Sequence, residues 1–380
     1  MAGSGTHEAS RGGDLAGWLR LAQTPGVGPE TGRRLLAAFG LPENIFAAGL
    51  PSLQTIVSER IAQALCQPPT EAAATLIEQT LAWAAAGGNQ VLTLADADYP
   101  ASLLEIPDPP LILYVKGRLE LLARPAVAVV GSRNASAQGA LNAEQFSQAL
   151  SQVGYTIISG LALGIDAAAH RGALQAADGG GSTVAVIGTG ADLVYPARNR
   201  ALAHQIAAEG CIVSEYPLGT PAIAANFPRR NRLISGLARA VLVVEAAAQS
   251  GSLITARMAA EQGRDVLAIP GSIHAPLSRG CHQLIKQGAK LVESAQDVLE
   301  ELQHLPLPVP ALASEAATPG GAAGLPASQL LEAMGFDPVT PDLLAARCAL
   351  DAATLAGLLL TLELQGQVEL MPGGSYRRLV

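Results

Sequence analysis

From residue 111 onward, short continuous apolar runs alternate with stretches of helical spacing. The runs are LILYV, VAVVG, YTIISG, STVAVIG, CIVSE, AVLVVE, DVLAIPG and KLVES. Apolar runs of this length are typical of strands that are buried on both faces of a sheet. Helical segments between consecutive strands imply parallel pairing with right-handed crossovers. The pattern therefore predicts an α/β domain, an extended Rossmann-like, doubly wound parallel sheet, over residues 111–303.

The two ends of the chain have different patterns. Residues 1–13 contain no apolar signal core and are interpreted as a disordered tail. Residues 14–90 place alanine and leucine at helical spacing between prolines, which predicts an all-α domain. Residues 304–327 are rich in proline, alanine and glycine and are interpreted as a linker. Residues 328–380 predict three helices and then two strands about a Pro-Gly-Gly turn, which is a winged-helix-like plan.

The helical domain contains the stretch TPGVGPETGRRLLAAFG, which predicts a helix end, a Gly-Val-Gly turn and a new helix near Pro29. It resembles a helix-hairpin-helix motif, in which the turn amides and the next helix N-terminus face a phosphate. An ordinary turn between two packed helices would give the same pattern. Both interpretations stay open.

The charge of the chain is unevenly distributed. The 380 residues carry 24 basic and 32 acidic side chains, a net charge of −8. Residues 125–290 carry 13 basic and 9 acidic side chains, whereas residues 291–380 carry 3 basic and 11 acidic side chains. The middle of an acidic chain is therefore locally basic, which indicates an anionic ligand there.

Other features of the composition exclude several classes of protein. No apolar run reaches the roughly 18 residues that a membrane span needs, so no membrane association is expected. The four cysteines lie far apart in the sequence. Their spacing predicts neither a zinc site nor any other metal site, and the simplest location is the reducing cytoplasm.

Three loops that follow predicted strands are rich in glycine and serine and lead into helices. Loops of this kind bind phosphate groups in Rossmann-like folds. They lack the GxGxxG spacing and the acidic residue of a dinucleotide site, and no lysine follows a glycine as a P-loop requires. No cofactor is therefore expected. The candidate ligand-binding residues are Gly131, Ser132 and Arg133 in the first loop, Ser159, Gly160 and Gly164 in the second, and Gly251 and Ser252 in the third.

The densest cluster of cations lies in NFPRRNRLISG, where Arg229, Arg230 and Arg232 fall within four positions. Cations at the start of a helix oppose its dipole unless they pair with acids or bind an anion. Phe227 lies beside them and can stack on an unpaired base. The cluster favours single-stranded nucleic acid as the ligand, and a nucleotide-sized ligand is the alternative that the residues alone leave open.

The order of these motifs resembles that of the DNA-processing protein family DprA, also called Smf. The resemblance covers residues 95–303 and rests on VAVVGSRNAS, IISGLALGIDAAAHRGAL, VAVIGTGADLVYPARNRAL, NFPRRNRLISGLA, AAAQSGSLITARMAAEQGRDVLAIPG and GCHQLIKQGAKLVES. It implies a single-stranded DNA-binding protein that protects incoming DNA in natural transformation and loads the RecA recombinase onto it. It also implies a homodimer formed through the Rossmann-like domain, and no enzymatic activity.

The resemblance also implies roles for particular residues. Arg133 corresponds to the phosphate-binding arginine of the family. The base-stacking aromatic and the basic loop correspond to Phe227, Arg230, Asn231 and Arg232. Arg198, in the segment YPARN, lies where an acidic residue is expected in many relatives. It could add a phosphate contact or be a solvated charge.

Two other classes of function compete with DNA binding. One is an enzyme, a nucleoside-monophosphate hydrolase of the lysine-decarboxylase-like Rossmann group. That group has a Gly-Gly-x-Gly-Thr loop followed by a catalytic glutamate, but the corresponding segment QSGSLITARM has no glutamate in its first turn. The other is a purely structural adaptor, which would bind no oligonucleotide.

The C-terminal unit has a charge that does not suit DNA. Its presumed third helix, residues 351–364, contains Asp351 and Glu363 and neither lysine nor arginine. A helix of this charge is repelled by phosphates. The sequence therefore predicts that this winged-helix-like unit contacts a protein.

Overall fold

The computed structural model describes residues 5–176, 179–302, 330–331, 333–334, 338–348 and 350–379. Side chains are described from residue 14 onward. The first helix begins at Gly5, so it overlaps the segment 1–13 that the sequence analysis interprets as a tail. The predicted linker, residues 304–327, lies outside the described residues.

The N-terminal unit is all helical, as its pattern predicts. Several of its helices have a proline in the first turn, where a proline removes no helical hydrogen bond. Its core contains Trp18, Leu35 and Leu65 and extends to Ile112 and Tyr114 of the sheet, so the helices pack directly on the sheet edge. The helices are α1 (Gly5–Gln23), α2 (Pro29–Phe39), α3 (Pro42–Ala47), α4 (Leu50–Gln54), α5 (Glu59–Cys66) and α6 (Glu71–Ala84).

A nine-stranded sheet forms the centre of the molecule, in the order β1-β2-β6-β5-β4-β3-β7-β8-β9. Its strands are β1 (Asn89–Thr93), β2 (Ile112–Gly117), β3 (Ala126–Val130), β4 (Thr156–Ser159), β5 (Thr183–Val186), β6 (Cys211–Ser214), β7 (Ala240–Val243), β8 (Asp265–Ala268) and β9 (Lys290–Leu291). The helices of this sheet domain are α7 (Ala101–Leu104), α8 (Ala137–Gln152), α9 (Ile165–Leu174), α10 (Arg200–Glu209), α11 (Asn226–Leu237), α12 (Ser252–Glu261), α13 (Arg279–Lys286) and α14 (Ala295–Glu301).

The strands from β3 to β9 pair in parallel, which confirms the doubly wound sheet. The prediction of parallel pairing is wrong for β2, which is antiparallel to both β1 and β6. Residues 118–125 between β2 and β3 are too few for a crossover, which needs a dozen residues or more. Strand β1 begins at Asn89, before the predicted helical domain 14–90 ends, so the sheet begins earlier than the pattern indicates.

The strand order fixes where a ligand can enter. From β3 the chain winds through β4, β5 and β6 on one side, and it then returns to β7 on the other side of β3. In open α/β sheets a crevice forms at such a reversal, outside the carboxyl ends of the strands, and ligands bind there. The loops after β3 and β7 therefore border the expected site.

The described C-terminal residues contain α15 (Pro341–Cys348), α16 (Ala352–Leu364), β10 (Val368–Leu370) and β11 (Tyr376–Arg378). Strands β10 and β11 pair antiparallel, as the hairpin pattern predicts. Across the described residues no single helix is long and apolar enough to span a bilayer. Among the described helices, only the pair α15 and α16, which are bent by 109° relative to each other, together reach the length and apolar composition of a membrane span.

Candidate functional site

The loops after β3 and β7 border a cavity of about 440 Å³, which we call the switch-point cavity. Its walls come from the loop after β3, the start of α9, the first turns of α11 and the segment that leads into α12. Of the residues predicted from the sequence, it brings together Gly131, Ser132, Arg133, Phe227, Arg230, Asn231, Gly251 and Ser252. Segments distant in the sequence thus meet at the reversal of strand order.

An aromatic pair lies at the rim of this cavity. The ring of Phe227, in the first turn of α11, has its centroid 5.4 Å from that of Tyr195, with 41° between the planes. The guanidinium carbon of the exposed Arg133 lies 6.0 Å from the Phe227 centroid. Tyr195, which is 50% exposed, was not among the residues predicted from the sequence, although it lies in the segment YPARN beside Arg198. A partly exposed aromatic pair beside an arginine can stack on bases and contact phosphate.

Arg230 forms part of the floor of the switch-point cavity. Its Nη1 donates a hydrogen bond to the Gly160 carbonyl at 2.8 Å and another to the Val186 carbonyl. A Cβ on Gly160 would lie 2.5 Å from the same nitrogen, so this close approach requires glycine. Burial lowers the pKa of Arg230 to about 10. Arg230 thus ties α11 to the ends of β4 and β5.

Asp166 lies beside Arg230 and organises the loop after β4. Its Oδ2 accepts hydrogen bonds from the amides of Gly160, at 3.1 Å, and Ala162, at 3.4 Å. Burial raises the pKa of Asp166, and the charge of Arg230 acts in the opposite direction. The carboxyl group therefore holds backbone amides in place below the cavity.

The expectation that Arg232 contacts the ligand needs correction. Its side chain is buried, with Nε 2.8 Å from Asp108 Oδ2 and Nη2 2.5 Å from Glu215 Oε2. A buried cation is unfavourable unless an acid or an anion neutralises it. Two carboxylates of the protein do so here, and Arg232 lies outside the switch-point cavity.

The other predicted residues also lie outside the lining of the cavity. Ser159 is buried and donates to the Val129 carbonyl at 2.7 Å. Gly164 has a φ of 76°, and a Cβ there would overlap the Ser132 carbonyl oxygen. Ser159, Gly160 and Gly164 therefore shape the loop below the cavity. Arg198 is exposed, in a short 3₁₀ helix over Ala197–Asn199.

The segment before α12 forms the opposite wall. Ser250 and Ser252 are hydrogen-bonded through their hydroxyl groups at 2.7 Å. Gly251 is the N-cap of α12. The N-terminus of a helix carries a partial positive charge and offers amide donors to anions. This wall can therefore bind phosphate without a lysine.

Comparison with protein families gives a match along most of the chain. The family model described as DNA recombination-mediator protein A matches residues 90–303. A second model, for the DprA winged helix domain, matches residues 314–374. The chain belongs to the DprA family. The resemblance found in the sequence is confirmed, as are the Rossmann-like fold and the winged-helix character of the C-terminal unit.

Individual relatives agree with this membership. Protein Smf of Synechocystis is 37% identical, over 96% of this chain and 99% of the relative. Protein Smf of Escherichia coli is 40% identical, over 95% of each chain. DNA processing protein DprA of Streptococcus pneumoniae is 53% identical, over 56% of this chain and 73% of the relative. Membership places the chain among DNA-processing recombination mediators.

Two solved structures of the DprA family resemble this one. The X-ray structure of DprA from Streptococcus pneumoniae aligns with a TM-score of 0.65 and 40% identity, over 76% of this chain and 97% of the other. A structure of DprA from Helicobacter pylori aligns with a TM-score of 0.51 and 30% identity, over 56% of this chain and 96% of the other. The Helicobacter study concerns how that protein binds single-stranded DNA.

Proposed function

We propose that this DprA family member binds single-stranded DNA across the switch-point cavity. The observation that carries the proposal is the pair Tyr195–Phe227 with Arg133 beside it. Unpaired bases stack on aromatic rings in any sequence, whereas the bases of a duplex are already stacked on one another. The aromatic pair therefore favours single strands.

Phosphate groups of the strand have several partners in this arrangement. Arg133 is exposed at the rim, and Asn231 and the start of α12 line the wall. Arg230 supports the floor and orients the α11 turn that carries Phe227. Arg198 is exposed outside the cavity, where it adds at most one peripheral contact.

The cellular role that we propose follows from family membership. The protein protects incoming single strands and loads the RecA recombinase onto them in natural transformation. It acts in the cytoplasm, as a homodimer formed through the Rossmann-like domain. It has no catalytic activity of its own.

The decisive experiment is a titration of fluorescent oligonucleotides. A single-stranded dT oligomer and a blunt duplex of the same length are compared by anisotropy at several salt concentrations. We expect tighter binding of the single strand and a loss of affinity as salt increases. Equal or tighter binding of the duplex would contradict the proposal.

A parallel assay tests the enzymatic alternative. The first turn of α12 consists of Ser252, Leu253, Ile254 and Thr255, so it offers no carboxylate for a hydrolase. We expect no release of ribose phosphate from nucleoside monophosphates. If ribose phosphate were released, and if substitutions in the switch-point cavity abolished that release, the proposed binding function would be wrong and the protein would be a hydrolase.

A further inference from the structure

The start of α11 is fastened to the end of β5 at two points. Arg230 donates a hydrogen bond to the Val186 carbonyl. One turn earlier, Nδ2 of Asn226 donates to the Gly188 carbonyl at 3.2 Å. Side chains four positions apart lie on the same face of a helix, and the two carbonyl groups are two residues apart along the chain. The two bonds together therefore fix how this turn of α11 lies on the end of β5.

The side chain of Asn226 does not cap the helix that it begins. The N-cap of α11 is Ala225, which makes no side-chain cap bond. Asparagine is preferred as an N-cap because its oxygen accepts from the amides of the first turn. The amide of Asn226 instead reaches a carbonyl 38 residues earlier in the chain. Asn226 is not among the described residues that line the switch-point cavity. Its contacts therefore point to a role in joining two segments of the chain.

A tyrosine that follows β6 also binds Asn226. Tyr216 Oη donates to the backbone carbonyl of Asn226 at 3.1 Å. Tyr216 is buried, and its amide donates to Ser214 Oγ at 3.0 Å. Ser214 Oγ in turn donates at 2.6 Å to the carbonyl of Thr189, the residue after Gly188. The end of β6 therefore holds both the loop after β5 and the start of α11.

These contacts set the place of the Phe227 ring. A Cβ on Gly188 would lie 3.0 Å from Cδ1 of Phe227, so the ring lies directly against the Gly188 backbone. The loop after β5 continues from Gly188 to Tyr195, whose ring is the partner of Phe227. The hydrogen bond from Asn226 therefore joins the two segments that carry the aromatic pair.

We propose that Asn226 is a positioning residue for base stacking, which holds the Phe227 ring in place beside Tyr195. This inference rests on the proposed single-strand binding and assigns the orientation of its stacking surface to one side-chain amide. Without that amide, the start of α11 loses its direct hydrogen bond to the loop after β5. The Phe227 ring then has to be ordered when a base arrives, and a surface that is not preorganised binds less tightly.

The test is a double-mutant cycle on a dT oligomer, measured by anisotropy with the full chain. Asn226→Ala should weaken binding by about three- to tenfold, a part of the loss expected for Phe227→Ala. The slope of log K against log salt should not change, because no cation is removed. In the Phe227→Ala background the same substitution should change the Kd by less than about twofold, since no ring is left to position.

Tyr216→Phe supplies a milder second variant, which removes only the hydroxyl group that binds the Asn226 carbonyl, and it carries the cycle if Asn226→Ala does not fold. We expect it to weaken binding less than Asn226→Ala does, and again only while Phe227 is present. Tyr99→Phe is the matched control, because the Tyr99 hydroxyl donates to the Pro110 carbonyl at 2.8 Å, away from the residues that line the switch-point cavity. It should leave the Kd as in the unchanged protein.

An equal loss from Asn226→Ala with and without the Phe227 ring would overturn the proposal, because Asn226 would then act on the strand itself or on the whole fold. Unchanged affinity in both Asn226→Ala and Tyr216→Phe would overturn it as well. In either case the unchanged protein would still bind single strands. Failure of the unchanged protein to bind the dT oligomer would instead contradict the proposed function.

Discussion

Three neighbouring arginines in α11 have three different environments. Arg229 is exposed, Arg230 is buried against two carbonyl groups, and Arg232 is buried between two carboxylates. The sequence locates the cluster but not these differences. Asp108 and Glu215, which neutralise Arg232, come from segments before β2 and after β6. Their approach depends on the antiparallel β2–β6 pairing, which the apolar pattern does not indicate.

Arg133 and Phe227, at the rim of the switch-point cavity, have separable contributions to binding. Arg133→Ala should weaken single-strand binding and reduce the slope of log K against log salt by about 0.7, the value for one lost phosphate contact. Phe227→Ala should cost about 1–3 kcal/mol through lost stacking and leave that slope nearly unchanged. Anisotropy titrations over a range of salt concentrations measure both quantities.

Tyr195→Ala should behave like Phe227→Ala, because the two rings form one stacking surface. Arg200→Ala, an exposed change on α10, provides the control for loss of a surface cation. If Phe227→Ala reduced the slope of log K against log salt and Arg133→Ala left it unchanged, the assignment of base stacking to Phe227 and phosphate contact to Arg133 would be reversed.

His170 makes the stability of the sheet domain depend on pH. It is fully buried, and its Nδ1 lies 2.7 Å from Thr183 Oγ1, which in turn donates to the Ile157 carbonyl. Burial lowers the pKa of His170 from an ordinary 6.5 to about 3. Between these values the unfolded chain binds a proton that the folded chain does not. Stability from this group is therefore complete above pH 6.5 and is lost as the pH falls toward 3.

We expect the free energy of unfolding to fall by about 2 kcal/mol more between pH 7 and pH 5 in the unchanged protein than in His170→Asn. Asparagine can still donate an N–H to Thr183 but does not titrate. Denaturant unfolding at the two pH values measures the difference. His204→Asn, on the exposed side of α10, is the control and should behave like the unchanged protein. If His170→Asn lost as much unfolding free energy between pH 7 and pH 5 as the unchanged protein does, His170 would not be the source of the pH dependence.

At the level of elements, the loop between β4 and α9 is held in one shape by its glycines. Gly164→Ala should destabilise the protein by about 1–3 kcal/mol, because the added Cβ overlaps the Ser132 carbonyl oxygen and the φ of 76° is unfavourable for alanine. Single-strand affinity should fall as well, since Ser132 belongs to the cavity wall.

Thermal unfolding and anisotropy test this prediction together. Gly87→Ala is the control, because a Cβ there meets no atom within 4 Å. A stable Gly164→Ala variant with normal affinity would show that the loop tolerates a second conformation.

The sequence predicted the parallel strands well, because β-branched runs such as VAVVG and AVLVVE are buried on both faces and bounded by glycine or acidic residues. It missed β1, a half-exposed strand whose segment NQVLT has no continuous apolar run. It also missed the place of Tyr195 beside Phe227. That contact depends on the loop after β5 reaching α11, which follows from strand order and not from local pattern.

At the scale of the whole molecule, the C-terminal unit differs in charge from the sheet domain. Helix α16 contains Glu363 and is capped by Asp351. On the hairpin, Arg377 pairs with Glu369, and Arg378 donates to the Leu331 carbonyl at 3.2 Å. The two hairpin cations are therefore engaged within the unit. We infer that this unit contacts a protein and not DNA.

Deletion of residues 310–380 should leave single-strand affinity within a few fold of that of the full chain. The physical reason is that cationic side chains drive counterion release, and the exposed cation at the switch-point cavity, Arg133, belongs to the sheet domain. Anisotropy on the purified truncation measures the affinity. A folded truncation that loses a hundredfold would show that the C-terminal unit contacts DNA or organises the assembly that does.

The position of β3 at the centre of the sheet has a consequence during synthesis on the ribosome. Strands β4, β5 and β6 emerge soon after β3 and can extend the sheet on one side. The other edge of β3 has no partner until Ala240–Val243 has been made. An unpaired apolar strand edge invites pairing with other chains. The order of synthesis therefore leaves this apolar edge of β3 without its native partner while more than a hundred residues, from 131 to 239, are added.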